Sequence, residues 1–255
     1  MKLYLAAPTS RKNIVVNYPN RIDYILESFY YIKPWLIDMV NTSRIKSLLL
    51  DSGAFTLFKA NSHLPEKYVD EYVQKYIDYI NQNEIELFFE LDIDSIVGRL
   101  KVEEIRQKIN RGTGKLSIPA WHKSRGIKNF IELAKDYPYI AIGGIASKEI
   151  KKPEYAEFHK LIDIAHKHGA KIHGLGFTPL NELSNFDFDS VDSSSWSYGS
   201  RSHNSSLYKF TGNSMICYSI PPGRRRKHHT IIDSHNFHQW CLYQRYLNGA
   251  SACLQ

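Results

Sequence analysis

The chain has 255 residues, of which 43% are hydrophobic and 23% charged, and this composition is typical of a soluble globular protein. No apolar run approaches the roughly 20 residues that a membrane span needs, and the first eight residues are too few to hold a signal-peptide core. The three cysteines, Cys217, Cys241 and Cys253, form neither an even disulfide framework nor a Cys-x-x-Cys zinc pair. We therefore expect a cytoplasmic protein that does not bind membranes.

The net charge of +7 favours a polyanionic partner, because basic side chains neutralise phosphates and release their counterions. Nine of the lysines and arginines lie between Arg99 and Lys128, where the acids are Glu103 and Glu104. A second basic cluster, Arg224-Arg225-Arg226-Lys227, follows two prolines. The first cluster alone is also compatible with an ordinary solvated surface. The two together predict a nucleic acid partner.

The first third of the chain predicts a strand, a broken helix, a second strand and a helix. Residues 2–7 are an apolar strand that Pro8 ends, and residues 21–40 have apolar positions at roughly helical spacing, interrupted by Pro34. Residues 47–51 are a short buried strand that ends on the carboxylate of Asp51. Residues 65–80 begin with proline and carry apolar side chains on one face, which predicts a helix.

The rest of the chain alternates strands with helices. Further strands are predicted at 86–94, 116–122, 139–145, 171–177, 189–196 and 215–220, and further helices at 102–109, 130–134, 153–168 and 235–247. Eight strands that mostly alternate with helices predict a single-domain α/β fold, a (β/α)8 barrel of the TIM type over residues 1–255. Residues 221–255 would form a basic loop and a closing helix.

Polar side chains and glycines follow the predicted strands at the points where the strands end. They are Asp51, Asp92, His122, Gly143-Gly144, His173 to Gly176 and Asp192. In a (β/α)8 barrel the carboxyl ends of the strands form the mouth that carries the active site. Acids that meet there suit covalent catalysis by a carboxylate nucleophile with an acid or base beside it. They also suit a metal held by oxygen ligands, and each acid alone could instead cap a helix.

Several of these motifs together resemble the tRNA-guanine transglycosylases. Asp51-Ser52-Gly53-Ala54-Phe55 is similar to that family's Asp-Ser-Gly-Gly-Phe motif, and Ala141-Ile142-Gly143-Gly144 to its base-pocket glycines. His173-Gly174-Leu175-Gly176 resembles the family's Met-Gly-Val-Gly strand. Val191-Asp192 stands in order where the family keeps its nucleophilic aspartate. Residues 231–236 with 243–245 resemble its His-Asn helix.

The resemblance implies a (β/α)8 barrel that exchanges a guanine base for a 7-deazaguanine. Asp192 would attack the sugar C1′ and form a covalent glycosyl-enzyme, and Asp51 would be the acid/base partner. Asp92 would read the edge of the base, and His122 stands where the family uses a glutamine for base recognition. The remaining base-binding residues implied by position are Phe55, Gly143, Gly144, Gly174 and Gly176.

The chain departs from the family at its zinc site. The family has a Cys-x-Cys-x-x-Cys run before the His-Asn helix, and here Cys217 alone stands near that place. We therefore predict no metal and no other cofactor, although a rearranged zinc site remains open, with ligands drawn from Cys217, His228, His229, His235 and Cys241.

A short, basic chain without that cysteine run resembles the family's DNA-modifying branch, which inserts 7-deazaguanines into phage or bacterial DNA. On this interpretation Arg224, Arg225, Arg226 and Lys227 would hold the DNA backbone. Three alternatives remain: a transglycosylase acting on tRNA, a catalytically silent nucleic-acid-binding subunit, and an unrelated metal- or phosphate-dependent barrel lyase. In the phage case the location would be the cytoplasm of the host.

Overall fold

A computed structural model describes residues 1–53, 56, 66–145, 147–200, 206–219 and 229–249. Eight parallel strands form one sheet, and their order is 4-3-2-1-8-7-6-5. These strands are β1 Lys2–Ala6, β2 Ile22–Ser28, β3 Ile45–Asp51, β4 Leu87–Phe88, β5 Ala120–Trp121, β6 Tyr139–Ile142, β7 Lys171–Gly174 and β8 Ser190–Ser193.

The two outer strands of this order also meet each other just beyond their ends. Phe89 pairs with Ile118 in a parallel bridge. The Ile118 N–H donates to the Phe88 carbonyl at 2.9 Å, and the Glu90 N–H donates to the Ile118 carbonyl at 3.0 Å. Because all neighbours are parallel and the ends of the order are joined, the sheet has the arrangement of a TIM-type (β/α)8 barrel.

Helices lie between the strands along the chain. They are α1 Lys12–Val16, α2 Pro34–Asn41, α3 Glu66–Gln82, α4 Asp94–Val97, α5 Arg99–Thr113, α6 Gly126–Asp136, α7 Glu157–Lys167 and α8 His229–Leu247. Short 3-10 helices lie at Pro8–Arg11, Lys123–Arg125, Lys152–Glu154, Leu183–Asn185 and Ser195–Ser200. A separate antiparallel hairpin, β9 Ser206–Phe210 and β10 Met215–Ser219, precedes α8.

The strands bury side chains on both of their faces, because alternate residues of a strand point to opposite sides of the sheet. The outward residues pack with the helices in the main core. A smaller cluster packs on the inner side and consists of Tyr4, Ala6, Tyr24, Leu26, Leu49, Phe89, Ile118 and Ala141. The ring of His173 lies beside Tyr4 and Phe89 of this inner cluster, with centroid distances of 6.1 and 5.3 Å.

Helix α8 joins the hairpin to the barrel through buried amide side chains. Asn236 accepts from the Tyr208 N–H at 2.9 Å and donates to the Ser206 carbonyl at 2.9 Å. Gln244 donates to the carbonyls of Leu3 and Tyr24, both at 2.7 Å. These bonds satisfy backbone groups that would otherwise be buried without partners.

The predicted fold class is confirmed, but two predicted elements are wrong. Residues 22–28, predicted as part of a helix, form β2, which is buried between β1 and β3. Residues 215–219, predicted as the last barrel strand, pair instead with β9 outside the barrel. One barrel strand was missed and one was predicted in excess, so the predicted number of eight strands is still correct. The helix prediction for residues 22–28 failed because the spacing of their apolar residues suits a strand buried on both faces as well as a helix. These residues are Ile22, Tyr24, Ile25 and Leu26.

The closing helix is longer than predicted. It begins at His229 rather than at residue 235, so His229 belongs to the helix and not to the basic loop. In the portion of the chain described here, no helix is long and apolar enough to cross a membrane.

Candidate active site at the barrel mouth

Asp51 is the last residue of β3 and its carboxyl group faces other acids. Its Oδ2 accepts a hydrogen bond from the Gly53 N–H at 3.0 Å. Burial and the negative charges of Asp192 and Asp92 together raise the pKa of Asp51 from 3.8 to about 6, against the lowering effect of that hydrogen bond. A carboxyl group with a pKa near 6 can exchange protons close to neutral pH, as a general acid or base must.

Asp192 is held at the end of β8 through one of its two oxygens. Oδ1 accepts from the Gly176 N–H at 2.7 Å and lies 3.2 Å from Nε2 of the buried His173. Oδ2 has no hydrogen-bond partner among the residues that the structure describes. The carboxylate is therefore oriented, with one oxygen left for another interaction.

Two glycines at and just after the end of β7 serve this arrangement in different ways. Gly176 has a φ of +68°, a conformation that glycine adopts without strain, and its N–H faces Asp192. A Cβ on Gly174 would meet the Phe177 Cβ at 2.9 Å. Gly174 therefore lets the chain pack closely against aromatic residues.

His122 bridges two acids at the mouth. Its Nε2 lies 2.8 and 2.9 Å from the two oxygens of Asp92, and its Nδ1 lies 2.9 Å from Oε2 of Glu149. Burial alone would lower the pKa of His122, but Asp92 and Glu149 outweigh it and raise the pKa from 6.5 to about 9. The ring is therefore an imidazolium at neutral pH and donates from both nitrogens.

The glycine pair after β6 makes room for this bridge. A Cβ on Gly143 would meet the His122 ring at 2.9 Å, and one on Gly144 would meet Oε2 of Glu149 at 2.8 Å. Glu149 is fixed in turn by the Ser124 N–H, which donates to its Oε1 at 2.7 Å. The close approach that these glycines permit is thus occupied, at least in part, by side chains of the protein itself.

Arg125 lies beside Asp92 and also neutralises the charges of Glu90 and Asp94. Its side chain is 5% exposed, its Nε donates to Asp94 at 3.0 Å, and its other nitrogens lie 3.6 Å from Asp92 and Glu90. Among the described residues, one group of side chains could hold a metal ion. It consists of Asp92, Asp94 and His122, whose ligand atoms lie within 4.8 Å of one another. A metal ion there would compete with Arg125 for the oxygens of Asp92 and Asp94, and the ligating nitrogen of His122 would have to lose its proton.

The alternative zinc ligands are not brought together in the part of the chain that is described. Cys217 is exposed, Cys241 is buried, and His235 Nε2 lies 2.9 Å from the Tyr208 carbonyl oxygen. His228 lies outside the described residues, as do the predicted base-binding Phe55 and the predicted backbone-binding Arg224, Arg225, Arg226 and Lys227.

Most of the basic residues between 99 and 128 are paired with acids. Seven of the nine form ion pairs: Arg99, Lys101, Arg106, Lys108, Lys115, Lys123 and Arg125. Arg106 is also buried and binds Glu90 at 2.9 Å. The positive charge that this segment offers to a polyanion is therefore smaller than the residue count indicates.

The structure brings Asp51, Asp92, His122 and Asp192 to one end of the barrel, as the sequence predicts. Sequence reasoning missed Glu149 and Arg125, which hold His122 and Asp92. Neither lies in a strand, and a charged residue in a loop carries no periodic signal that distinguishes it from surface residues. Neither a protein-family model nor a curated protein matches this chain.

The bridge predicts how His122 titrates. We expect a pKa of about 9 by NMR. Glu149→Gln should lower it towards the ordinary 6.5, because the variant removes one of the three negative charges, those of Asp92, Glu149 and Asp94, that stabilise the imidazolium. Glu154→Gln is the matched control, since Glu154 pairs with Lys123 instead. An unchanged His122 pKa in Glu149→Gln would contradict the bridge.

The same shift predicts a pH dependence of stability. The folded-state pKa lies above the unfolded value, so protonation of His122 stabilises the fold fully below pH 6.5, and this contribution is lost as the pH rises through about 9. Unfolding by denaturant at pH 6 and pH 9.5 should show a smaller pH effect in Glu149→Gln than in the wild type.

Proposed function

We propose that this chain is a base-exchanging transglycosylase that replaces guanine in a nucleic acid, most directly DNA, by a 7-deazaguanine. The observation that carries the proposal is the pair Asp51 and Asp192 at one mouth. Asp192 is oriented with one oxygen free of hydrogen bonds among the described residues, and the pKa of Asp51 is raised to about 6. Two carboxyl groups in environments that separate their roles are typical of glycosyl-transfer chemistry.

The reaction would take place in two displacements. Oδ2 of Asp192 attacks C1′ of the target nucleoside, the C1′–N9 bond breaks, and its electron pair leaves with the guanine. The Asp51 carboxyl group gives its proton to the departing base. In the second step Asp51 takes a proton from the incoming base, whose nitrogen attacks C1′ and releases Asp192. Two inversions retain the configuration of the sugar.

The exchange is close to neutral in energy, because one glycosidic bond replaces another. It therefore requires neither a nucleoside triphosphate nor a redox cofactor. Asp92 and the His122 bridge, with Gly143 and Gly144, would line the base. A carboxylate edge suits the N–H donors of a guanine ring.

The assignment to a nucleic acid is supported by the net charge of +7. The preference for DNA over tRNA is supported by the missing cysteine run that the tRNA enzymes of the resembled family carry. In duplex DNA the target nucleotide would have to leave the stack to reach the mouth.

A second candidate is a metal-dependent barrel enzyme, favoured by the Asp92, Asp94 and His122 group. In that case Asp92 and His122 would be ligands rather than base-binding residues. A chelator that abolishes activity would favour the second candidate, and the transglycosylase should be unaffected.

The exchange is tested with labelled guanine, offered with duplex DNA and with bulk tRNA in parallel. We expect label to enter DNA, and we expect Asp192→Ala to lower the rate by at least ~1,000-fold because the nucleophile is lost. Asp187→Ala is the matched control, since Asp187 is exposed and lies five positions earlier. Label in tRNA alone would overturn the DNA substrate, and no label in either would overturn the proposed activity.

The pKa of Asp51 predicts the pH dependence of the first displacement. The protonated carboxyl group is the form that gives a proton to the leaving guanine, so kcat/KM for the nucleic acid should fall as the pH rises through about 6. Asp51→Asn should be slower by about 100-fold or more and should lack this step in the profile. A step near pH 6 that persists in Asp51→Asn would contradict the assignment.

A further inference from the structure

A chain of hydrogen bonds runs from the inside of the barrel to Asp192. Tyr139 and Ser190 are bonded through their hydroxyl groups, and the Ser190 Oγ lies 2.5 Å from His173 Nδ1. His173 Nε2 lies 3.2 Å from Asp192 Oδ1. His173 is fully buried. Its Nε2 faces Asp192, the carboxylate that acts as the nucleophile in the proposed function.

The direction of these bonds follows from the two ends. The proposed attack requires Asp192 as a carboxylate, which has no proton to give, so His173 Nε2 must carry the proton that lies between them. In the neutral ring Nδ1 is then an acceptor, and the Ser190 hydroxyl donates to it. The Ser190 oxygen in turn accepts from the Tyr139 hydroxyl. Every donor in the chain has one acceptor, and the imidazole is fixed as its Nε2–H form.

Packing alone does not account for a histidine at this position. The ring lies beside Tyr4 and Phe89, and an apolar side chain of similar size would fill the same space as well. A buried polar ring is costly unless its nitrogens are bonded. Both nitrogens of His173 are bonded, and one of them is bonded to the carboxylate at the mouth.

We propose that His173 is a positioning residue for Asp192. Its Nε2–H and the Gly176 N–H hold Oδ1, which orients the carboxylate so that Oδ2 is the atom that attacks C1′. Ser190 contacts the imidazole directly and Tyr139 contacts Ser190, and together they hold the ring in the Nε2–H form. This role deepens the proposed function and rests on it.

The role is tested first by kinetics with two substitutions. His173→Met removes the donor and fills the space with an apolar side chain of similar size. We expect kcat to fall by roughly 10- to 100-fold with KM changed by less than about twofold. His173→Gln places an amide N–H close to the position of Nε2, so it should recover most of the loss. Thermal unfolding of both variants shows whether they fold like the wild type.

The two substitutions separate positioning from packing. If His173 only filled space, Met would be tolerated better than the polar Gln, and this order would overturn the proposal. An active wild type with an equally active His173→Met would overturn it too, while the proposed function would stand. A wild type that exchanges no base would overturn the proposed function, and the positioning role of His173 with it.

The tautomer is tested without any substrate. In 15N-histidine-labelled protein, NMR should show His173 as the neutral Nε2–H form. Asp192→Ala removes the acceptor of that proton and leaves Ser190 Oγ beside Nδ1, so it should shift the ring towards the Nδ1–H form. The exposed His166, which pairs with Asp189, is the internal control and should not change. A His173 that is Nδ1–H in the wild type would overturn the proposal whatever the activity, since that ring has no proton to give to Asp192.

Discussion

The constraint on which the site depends is the accumulation of carboxylates at one end of the barrel, its mouth. Like charges in a confined space raise each other's pKa, so each acid there must be protonated, paired or hydrogen-bonded. Asp92 is paired with the His122 imidazolium and with Arg125. Asp192 is held by the Gly176 N–H and the His173 imidazole, and the pKa of Asp51 is raised to about 6. The three acids therefore lie in three different environments.

Some side chains that hold these acids lie in the strands, and others lie in the segments that follow the strands. Glu149 reaches His122 from the segment after β6, and the absence of side chains at Gly143 and Gly144 gives it the space. His173 reaches Asp192 from within the barrel, where Ser190 holds its other nitrogen. The outer arrangement creates an imidazolium beside Asp92, and the inner one places a buried imidazole beside the proposed nucleophile.

The sequence predicts the fold class because strands buried on both faces have short apolar runs, and most of the runs here end at a glycine or a polar residue. It misplaces β2, because Ile22 and its apolar neighbours fit a helical period as well as a strand. The mouth residues Asp51, Asp92 and Asp192 are predictable from their positions at strand ends. The pairing of Arg106 and Arg125 with Glu90 is not, because contacts between distant segments leave no trace in local spacing.

The central claim is that Asp192 becomes covalently bonded to the sugar. The protein is incubated with duplex DNA in the absence of free base, quenched by denaturation, digested and mapped by mass spectrometry. The account predicts a glycosyl adduct on Asp192, present in wild type and in the Asp187→Ala control. An adduct on Asp51, or turnover with no adduct on any residue, would contradict it.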